Sequence, residues 1–277
     1  MIIPPRPSDA FEWTHEPARA LVCRPLAPFA QHIFTSRFWP LGTASGSDVD
    51  DSWTAVARAV GADPLRLLRA HQVHGATVVA TRLGQPIGAR VEADILATSD
   101  PSVATAIQTA DCVPILLVDT RTGAVAAAHA GWRGLARRVP QAAVEAMVEQ
   151  FGTRESKLIA AVGPSIGACC YEVGPDVRDR FVAAGFSEWE LGGWFGSEAR
   201  SLPDNPSVPG PNPRARDGHS FLDLWTAARD QLRTAGVRED RIFVAELCTA
   251  SHPDVFCSYR RDGTSAGRMA AAIRGKS

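Results

Sequence analysis

The sequence predicts a single α+β domain built around a mixed β-sheet. The chain has 277 residues, of which 45% are hydrophobic, so it can bury a large core. Short apolar runs of strand length alternate with segments whose apolar residues recur at helical spacing. We see no internal repeat and no linker that would divide the chain. We therefore expect an irregular N-terminal segment, residues 1–28, followed by one catalytic domain, residues 29–277.

Charge and hydropathy exclude several classes of protein. The formal net charge of −1 argues against nucleic-acid binding, which needs a clustered basic surface. The longest apolar runs are far shorter than the ~20 residues of a membrane helix, and the N-terminus has no apolar signal segment. We therefore expect a cytoplasmic protein with no membrane partner, whose six cysteines stay reduced.

The first third of the chain alternates strand and helix signals. Residues 1–28 are rich in proline, and residues 31–38 follow as the first expected strand. Residues 48–61 begin with aspartates and end in glycine, which predicts a capped helix. Residues 67–81 predict a strand, a turn near Gly75 and a second strand.

The middle of the chain has the most regular pattern. Residues 103–110, 113–119 and 124–130 are nearly all apolar or small, and we predict a strand in each, the second buried on both faces. Residues 134–152 predict a helix. Pro140 falls inside this helix and indicates a late start or a kink.

The last third returns to short elements around one long connection. Residues 157–165 predict a buried strand, and residues 174–185 predict a short helix that ends at its glycine. Residues 186–218 show little periodicity and predict a long loop, which is either a lid or an insertion. The remaining predicted elements are a helix at 221–236 and strands at 241–248 and 265–274.

The two central strands bring a cysteine close to a histidine. If residues 120–123 form the turn, antiparallel pairing places Cys112 opposite Gly131, and a one-residue slip at each side places it opposite His129. Both registers put the pair at the same open end of the hairpin, where opposed Cβ atoms are about 5 Å apart. A thiol and an imidazole at this distance can bind one metal ion or form a nucleophile and its base.

The neighbouring residues favour a functional site at this hairpin end. Asp111 places a carboxylate next to the thiol, and it is a candidate proton carrier. Arg133 lies between two glycines just before a predicted helix, where a guanidinium group suits phosphate or carboxylate. A catalytic zinc takes three protein ligands, and the stretch HQVHG offers a third, His71 or His74. Residues three apart on a strand face opposite sides, so only one of them is expected to be the ligand.

Several motifs in order resemble the YfiH family, also named the laccase-like or multicopper polyphenol oxidase family. The resemblance rests on HQVHG (71–75), TADCVPILL (109–117), HAGWRGL (129–135), GPSIGACCYEVG (163–174) and CSYRRDGTSAGR (257–268). It covers roughly residues 30–275. One part departs from the family pattern, because residues 36–53 contain neither the GGVS nor the SLN stretch usual there.

The resemblance implies a site, a fold and an activity. His74, Cys112 and His129 are expected to bind Zn²⁺, and Gln72 and Arg37 are expected to contact substrate. The implied fold has mixed β-sheet layers covered by helices. The implied activities are phosphorolysis of adenosine, inosine and methylthioadenosine, with phosphate as co-substrate, and adenosine deamination. We expect the enzyme to act as a monomer.

Other functions remain open at this stage. The same three residues fit a cysteine amidohydrolase with Cys112 as the nucleophile, and the resemblance implies a peptidoglycan precursor as its substrate. Copper oxidase chemistry is a weaker alternative. Blue-copper sites use an axial methionine, and multi-copper sites need many clustered histidines, whereas the chain has only three methionines and seven histidines. A non-catalytic binding protein would lose no activity when Cys112 is replaced.

Overall fold

Two six-stranded sheets lie face to face in the computed structural model, which describes residues 3–43, 50–88, 90–201 and 213–276. The strands of the first sheet, in spatial order, are β1 (Phe11–Thr14), β2 (Ala20–Cys23), β3 (Ala30–Thr35), β15 (Met269–Gly275), β7 (Ala104–Thr109) and β4 (Leu67–Leu68). All of its pairs are antiparallel except the parallel pair of β4 and β7.

The second sheet carries the predicted central hairpin. Its strands, in spatial order, are β14 (Ile242–Val244), β10 (Leu158–Val162), β8 (Val113–Asp119), β9 (Val125–Ala130), β6 (Ile95–Thr98) and β5 (Val78–Thr81). The outer pairs, β10 with β14 and β5 with β6, are parallel, and the inner pairs are antiparallel. A small third sheet consists of β11 (Glu172–Val173), β13 (Ser220–Leu222) and β12 (Phe195–Gly196).

Helices cover the outer faces of both sheets. In chain order they are α1 (Asp50–Ala59), α2 (Trp132–Ala136), α3 (Val139–Phe151), α4 (Pro175–Ala183), α5 (Glu188–Trp194), α6 (Leu224–Thr234) and α7 (Tyr259–Asp262). Helix α1 packs on the first sheet, whereas α3 and α6 pack on the second. Pro140 lies in the first turn of α3, where its missing N–H costs no hydrogen bond. The α+β class and the mixed, helix-covered sheets are therefore confirmed.

Strand β8 shows why the fold needs covering on both sides. Every residue of this strand is buried. Ile115 and Leu117 face the helices α3 and α6, whereas Leu116 and Val118 face the first sheet, as the two-residue period of a strand requires. The near-continuous apolar run of the sequence thus serves two cores at once.

Two predictions about irregular segments were wrong. The prediction that residues 1–28 are irregular fails because β1 and β2 pair with each other and β2 pairs with β3, so the segment extends the first sheet. Residues 186–218 contain α5 and β12, and Ser187 begins α5 with a capping box that involves Glu190. Residues 202–212 of this predicted loop lie outside the described residues.

The predicted strand, turn and strand at 67–81 are present as β4, a bend at His74 and Gly75, and β5. The two strands do not pair with each other, because β4 belongs to the first sheet and β5 to the second. The intervening residues cross from one sheet to the other, and His71 pairs with Glu92 only through an isolated bridge. Helix α1 confirms the predicted helix at 48–61, although its first residues, 48 and 49, lie outside the described residues.

Candidate functional site

Three side chains predicted as metal ligands meet at one end of the second sheet. His74 lies in the crossing segment before β5, Cys112 lies in the turn between β7 and β8, and His129 lies in β9. Their ligand atoms all lie within 4.8 Å of one another. The Cys112 Sγ is 3.9 Å from the His74 Nε2, and the two imidazole rings meet edge to face with centroids 4.9 Å apart.

The register of the central hairpin matches the first of the two predicted registers. Val113 pairs with Ala130 and Pro114 with His129, so Cys112 comes opposite Gly131. A Cβ atom at position 131 would lie 2.7 Å from the Cys112 Sγ, closer than real Cβ contacts allow. Gly131 therefore leaves the space that the thiol occupies, and His129 reaches the same end from the neighbouring pair.

Asp94 forms hydrogen bonds that hold both histidines of the cluster in position. It is fully buried and lies directly before β6, opposite His129, where its Oδ1 is 2.8 Å from the His129 Nδ1. The same carboxylate accepts backbone N–H groups of Val73, His74 and Gly75 at 3.2, 3.0 and 2.6 Å. One carboxylate thus orients one ligand ring and holds the turn that carries another.

The neighbouring charged groups favour ionisation of the Cys112 thiol. Burial opposes charge on Cys112, but the neighbouring imidazole of His129 lowers the pKa of the thiol to about 6. Burial also opposes charge on His129, but Cys112 and Asp94 raise the pKa of the imidazole to about 9. Burial alone would raise the pKa of Asp94, yet the hydrogen bonds from His129 and the backbone hold that pKa below its usual value.

His74 adopts a left-handed backbone conformation, with φ of 58°. This conformation is uncommon for a residue with a Cβ, so the surroundings must maintain it. Besides the N–H that Asp94 accepts, its carbonyl accepts a hydrogen bond from Arg137 at 2.8 Å. His71, three residues earlier, lines the cavity but lies outside the ligand cluster, which agrees with only one histidine of HQVHG being a ligand.

A cavity of about 840 Å³ opens next to the ligand cluster. Its walls include arginine and aromatic residues together with the three candidate ligands. The basic and aromatic residues that line it are Arg90, Arg133, Arg260, Arg268, Trp132, Tyr171 and Tyr259. A volume of this size accommodates a small organic molecule, and the arginines suit an anionic group.

Asp111 lines the cavity, but its carboxylate is used for anchoring. It accepts hydrogen bonds from the Thr249 hydroxyl at 2.5 Å, the Ser258 hydroxyl at 3.0 Å and the Arg260 backbone N–H at 2.6 Å. Burial raises the pKa of this carboxyl group despite the three donors. Asp111 therefore ties the turn of Cys112 to the C-terminal loops that supply Arg260.

The other residues predicted to contact substrate have different positions. Arg133 lies exposed at the cavity, with its guanidinium group 4.3 Å from the centroid of the Trp132 ring. Gln72 also lines the cavity, but its amide is engaged with the backbone of Gln108 at 2.8 and 2.6 Å. Arg37 is not among the lining residues and donates to the carbonyl of Pro253, so its predicted contact with substrate lacks support.

Sequence reasoning missed Asp94, and it assigned no role to Arg260 or Arg268. The one signal for Asp94 was a carboxylate directly before an apolar strand. The signal for the two arginines was a basic cluster near the C-terminus, which the fold carries to the cavity. Of residues 36–53, where the sequence departs from the family pattern, Thr43 lines the cavity, and residues 44–49 lie outside the described residues.

The fold and the site define a class of α+β proteins with a two-histidine, one-cysteine centre at the end of a sheet. The chain belongs to the family described as multi-copper polyphenol oxidoreductase laccase, whose model matches residues 43–276. This assignment confirms the resemblance to the YfiH family that the sequence motifs indicate.

Similar proteins and a similar solved structure agree with this assignment. The chain is 37% identical over 254 residues to a purine nucleoside phosphorylase of Deinococcus radiodurans, covering 87% of this chain and 88% of the relative. It is 32% identical over 230 residues to the adenosine deaminase RL5 of an unknown prokaryotic organism, covering 80% of each. The crystal structure of YlmD from Geobacillus stearothermophilus is similar, with a TM-score of 0.75 and 28% identity, covering 96% of this chain and 99% of that chain.

Within the described parts of the chain, no helix has the length and apolar character that crossing a membrane requires.

Proposed function

We propose that this protein is a zinc-dependent enzyme of purine nucleoside metabolism, which cleaves adenosine, inosine or methylthioadenosine with phosphate and deaminates adenosine. The observation that carries the proposal is the position of the His74, Cys112 and His129 ligand atoms, within 4.8 Å of one another beside a cavity rich in arginine. The names of the relatives from Deinococcus radiodurans and of RL5 support the substrate class.

The donor set fits zinc. One thiolate and two imidazoles leave one tetrahedral position open, as in catalytic zinc sites. Asp94 engages the Nδ1 of His129, so the Nε2 is the ring nitrogen available to a metal. When bound, zinc would act as a Lewis acid and lower the pKa of a coordinated water to about 7.

The residues around the centre supply the remaining needs of the reaction. Arg133, Arg260 and Arg268 line the cavity, where their positive charge suits phosphate as a charged co-substrate. The rings of Trp132 and Tyr171 offer flat apolar surfaces for a purine base. Asp111 positions Arg260 through its backbone N–H and is thereby a positioning residue.

The decisive experiment is a substrate panel on protein of known metal content. Adenosine, inosine and methylthioadenosine are incubated with and without phosphate, and base, ribose phosphate and inosine are quantified. Zinc near one per chain together with phosphate-dependent release of base supports the proposal. Cys112→Ala and His129→Ala should abolish turnover while Cys257→Ala, which changes a buried cysteine outside the cavity, should not. Turnover of adenosine or inosine in either ligand variant contradicts the proposal.

A second candidate function is supported by one geometric relation. Asp94, His129 and Cys112 form an ordered series of orienting carboxylate, base and thiol, which is the arrangement of a cysteine hydrolase. This candidate is an amidohydrolase that acts on a peptidoglycan precursor. The two candidate functions differ in their response to complete removal of metal by a chelator. Activity that is retained without metal supports the hydrolase. Activity that is lost and then restored by zinc supports the nucleoside enzyme.

Copper oxidase chemistry has less support. Met269 is buried between the two large sheets, Met147 is buried on the side of α3 that packs on the second sheet, and neither lines the cavity. An axial methionine, which blue-copper sites use, is therefore not supplied by either residue.

A further inference from the structure

A second cluster of soft ligands lies outside the candidate active site. The sulfur atoms of Cys169, Cys170 and Cys248 all lie within 4.8 Å of one another. None of these cysteines lines the cavity. The cluster therefore needs an explanation separate from the one given for Cys112.

The fold brings these cysteines together from two connections. Cys169 and Cys170 lie in the turn that follows β10, and Cys248 lies beyond the end of β14. Because β10 and β14 are parallel, their C-terminal connections leave the sheet at the same edge. An isolated parallel bridge between Ser165 and Cys248 continues this pairing and thereby fixes the backbone position of Cys248.

Polar groups surround the sulfur atoms as they would surround negatively charged ligands. The backbone N–H of Gly167 donates to the Cys248 Sγ at 3.3 Å. The Ser251 hydroxyl lies 3.2 Å from the Cys170 Sγ and 3.6 Å from the Cys169 Sγ. These contacts give all three sulfur atoms a hydrogen-bonding partner, as thiolates that bind a metal commonly have.

Positive charge is held close to the same turns. The guanidinium group of Arg260 donates to the carbonyls of Cys170 and Glu172 at 3.5 and 2.8 Å. The guanidinium group of Arg261 donates to the carbonyls of Thr249 and Ala250 at 3.1 and 3.3 Å. Arg261 is also paired with the Asp262 carboxylate, at 2.8 and 2.7 Å, so Arg260 is the cation that reduces the cost of gathering negative sulfur atoms in a buried place.

The burial pattern allows a metal ion to enter and then shields it from water. Cys169 and Cys248 are buried, whereas Cys170 is only partly buried. The other buried cysteines of the described chain, Cys23 and Cys257, belong to neither ligand cluster. Convergence of three thiols is therefore specific to this place and does not follow from cysteine packing in general.

We propose that Cys169, Cys170 and Cys248 form a second metal site, which binds one Cu(I) ion through three sulfur atoms. Thiolates are soft ligands that favour Cu(I) and zinc, but structural zinc takes four ligands and this cluster has three. A monovalent d¹⁰ ion is stable with three sulfur ligands. Binding needs no redox step, since the ion enters and remains as Cu(I) and displaces thiol protons to solvent.

The test uses the full chain with the first centre disabled. Cys112→Ala protein, with its remaining thiols reduced, is titrated anaerobically with Cu(I) against a coloured Cu(I) chelator. We expect one ion per chain, and X-ray absorption should show sulfur as the only ligand element. Absence of Cu(I) binding, or nitrogen ligands in the absorption spectrum, overturns the proposal.

Ligand variants in the same background assign the site. Cys170→Ser should weaken Cu(I) binding by at least about 100-fold, because even the loss of an outer partner of a metal ligand costs 10- to 100-fold. Cys257→Ser is the matched control and should bind as the parent does. Circular dichroism checks that both variants fold, and Cys248→Ser replaces Cys170→Ser if that variant unfolds. Unchanged affinity in a folded Cys170→Ser or Cys248→Ser variant overturns the assignment, and neither result depends on nucleoside turnover.

Discussion

Asp94 and His129 face each other across the β6–β9 pair, with the carboxylate Oδ1 2.8 Å from the imidazole Nδ1. Their strands also share the backbone hydrogen bond from the His129 N–H to the Asp94 carbonyl, at 2.8 Å. These two hydrogen bonds fix the His129 ring before a metal ion binds. Because Asp94 also accepts the N–H groups around His74, both imidazoles of the centre depend on one side chain.

Replacing Asp94 with asparagine should weaken zinc binding by about 10- to 100-fold, the range seen when partners of metal ligands are changed. The amide has one acceptor oxygen, so its NH₂ must face either the His129 N–H or the N–H groups of the His74 turn. Zinc competition with a fluorescent chelator measures the loss. Asp100→Asn is the control, since it changes another buried aspartate that does not line the cavity. Equal zinc affinity in Asp94→Asn and the parent protein would contradict the orienting role.

Gly131→Ala should disable the centre without unfolding the chain. The backbone at this position has φ of −72°, which alanine adopts freely, so the effect comes only from the Cβ atom, 2.7 Å from the Cys112 Sγ. Moving the thiol by the needed fraction of an ångström should lower turnover by about 100-fold. Steady-state kinetics and zinc content are measured. Gly192→Ala, whose Cβ meets no atom within 4 Å, is the control. A fully active Gly131→Ala enzyme would show that Cys112 is not confined as described.

Asp111→Asn should destabilise the fold and leave zinc content unchanged. Loss of the charge weakens three hydrogen bonds to the C-terminal loops, and the free energy of unfolding should fall by about 2–3 kcal/mol. Urea unfolding and metal analysis are carried out together. Asp254→Asn, an exposed change in the same loops, should be near neutral. Lost zinc with unchanged stability would instead place Asp111 in the metal centre.

His32 should make stability fall as the pH decreases. The buried ring accepts the Cys23 N–H at its Nε2 and lies 3.2 Å from the Ala30 carbonyl through its Nδ1, so both nitrogens suit the neutral form. Burial lowers the pKa of His32 to about 4, from 6.5 in a model peptide. Its contribution is therefore complete above pH 6.5 and is lost between pH 6.5 and 4, up to about 3 kcal/mol.

Unfolding free energies of the parent and His32→Gln, measured from pH 7 to 4, test this contribution. The glutamine variant cannot titrate in this range, so the difference between the two proteins should shrink as the pH falls. Two profiles that stay parallel would rule out His32 as the source.

Much of the centre follows from local sequence. The apolar runs on either side of residues 120–123 specify β8 and β9, and the turn length sets the register that brings Cys112 opposite Gly131. Pairing between neighbouring strands is a short-range property, so the relation of Cys112 to His129 is readable without a structure. The motif resemblance then selected His74 over His71 as the ligand. Of these two histidines, only His74 belongs to the ligand cluster.

Other features depend on contacts that no local pattern encodes. Asp94 contacts His129 because β6 pairs with β9. This pairing is determined by the packing of whole sheets, which involves residues far apart in the chain. The N-terminal strands β1 and β2 likewise gain their structure from an open edge of the first sheet and not from their own proline-rich segment.

The sequence by itself determined the class of fold and the central hairpin, because these depend on periodicity and turn length, and its motifs indicated His74, Cys112 and His129 as candidate metal ligands. Only the tertiary structure decided that Asp94 supports the ligands, that Asp111 anchors loops, and that the thiols of Cys169, Cys170 and Cys248 converge. The physical reason is the same in each case. Long-range contacts form when buried faces of separate elements pack, and their partners are set by the global minimum of that packing.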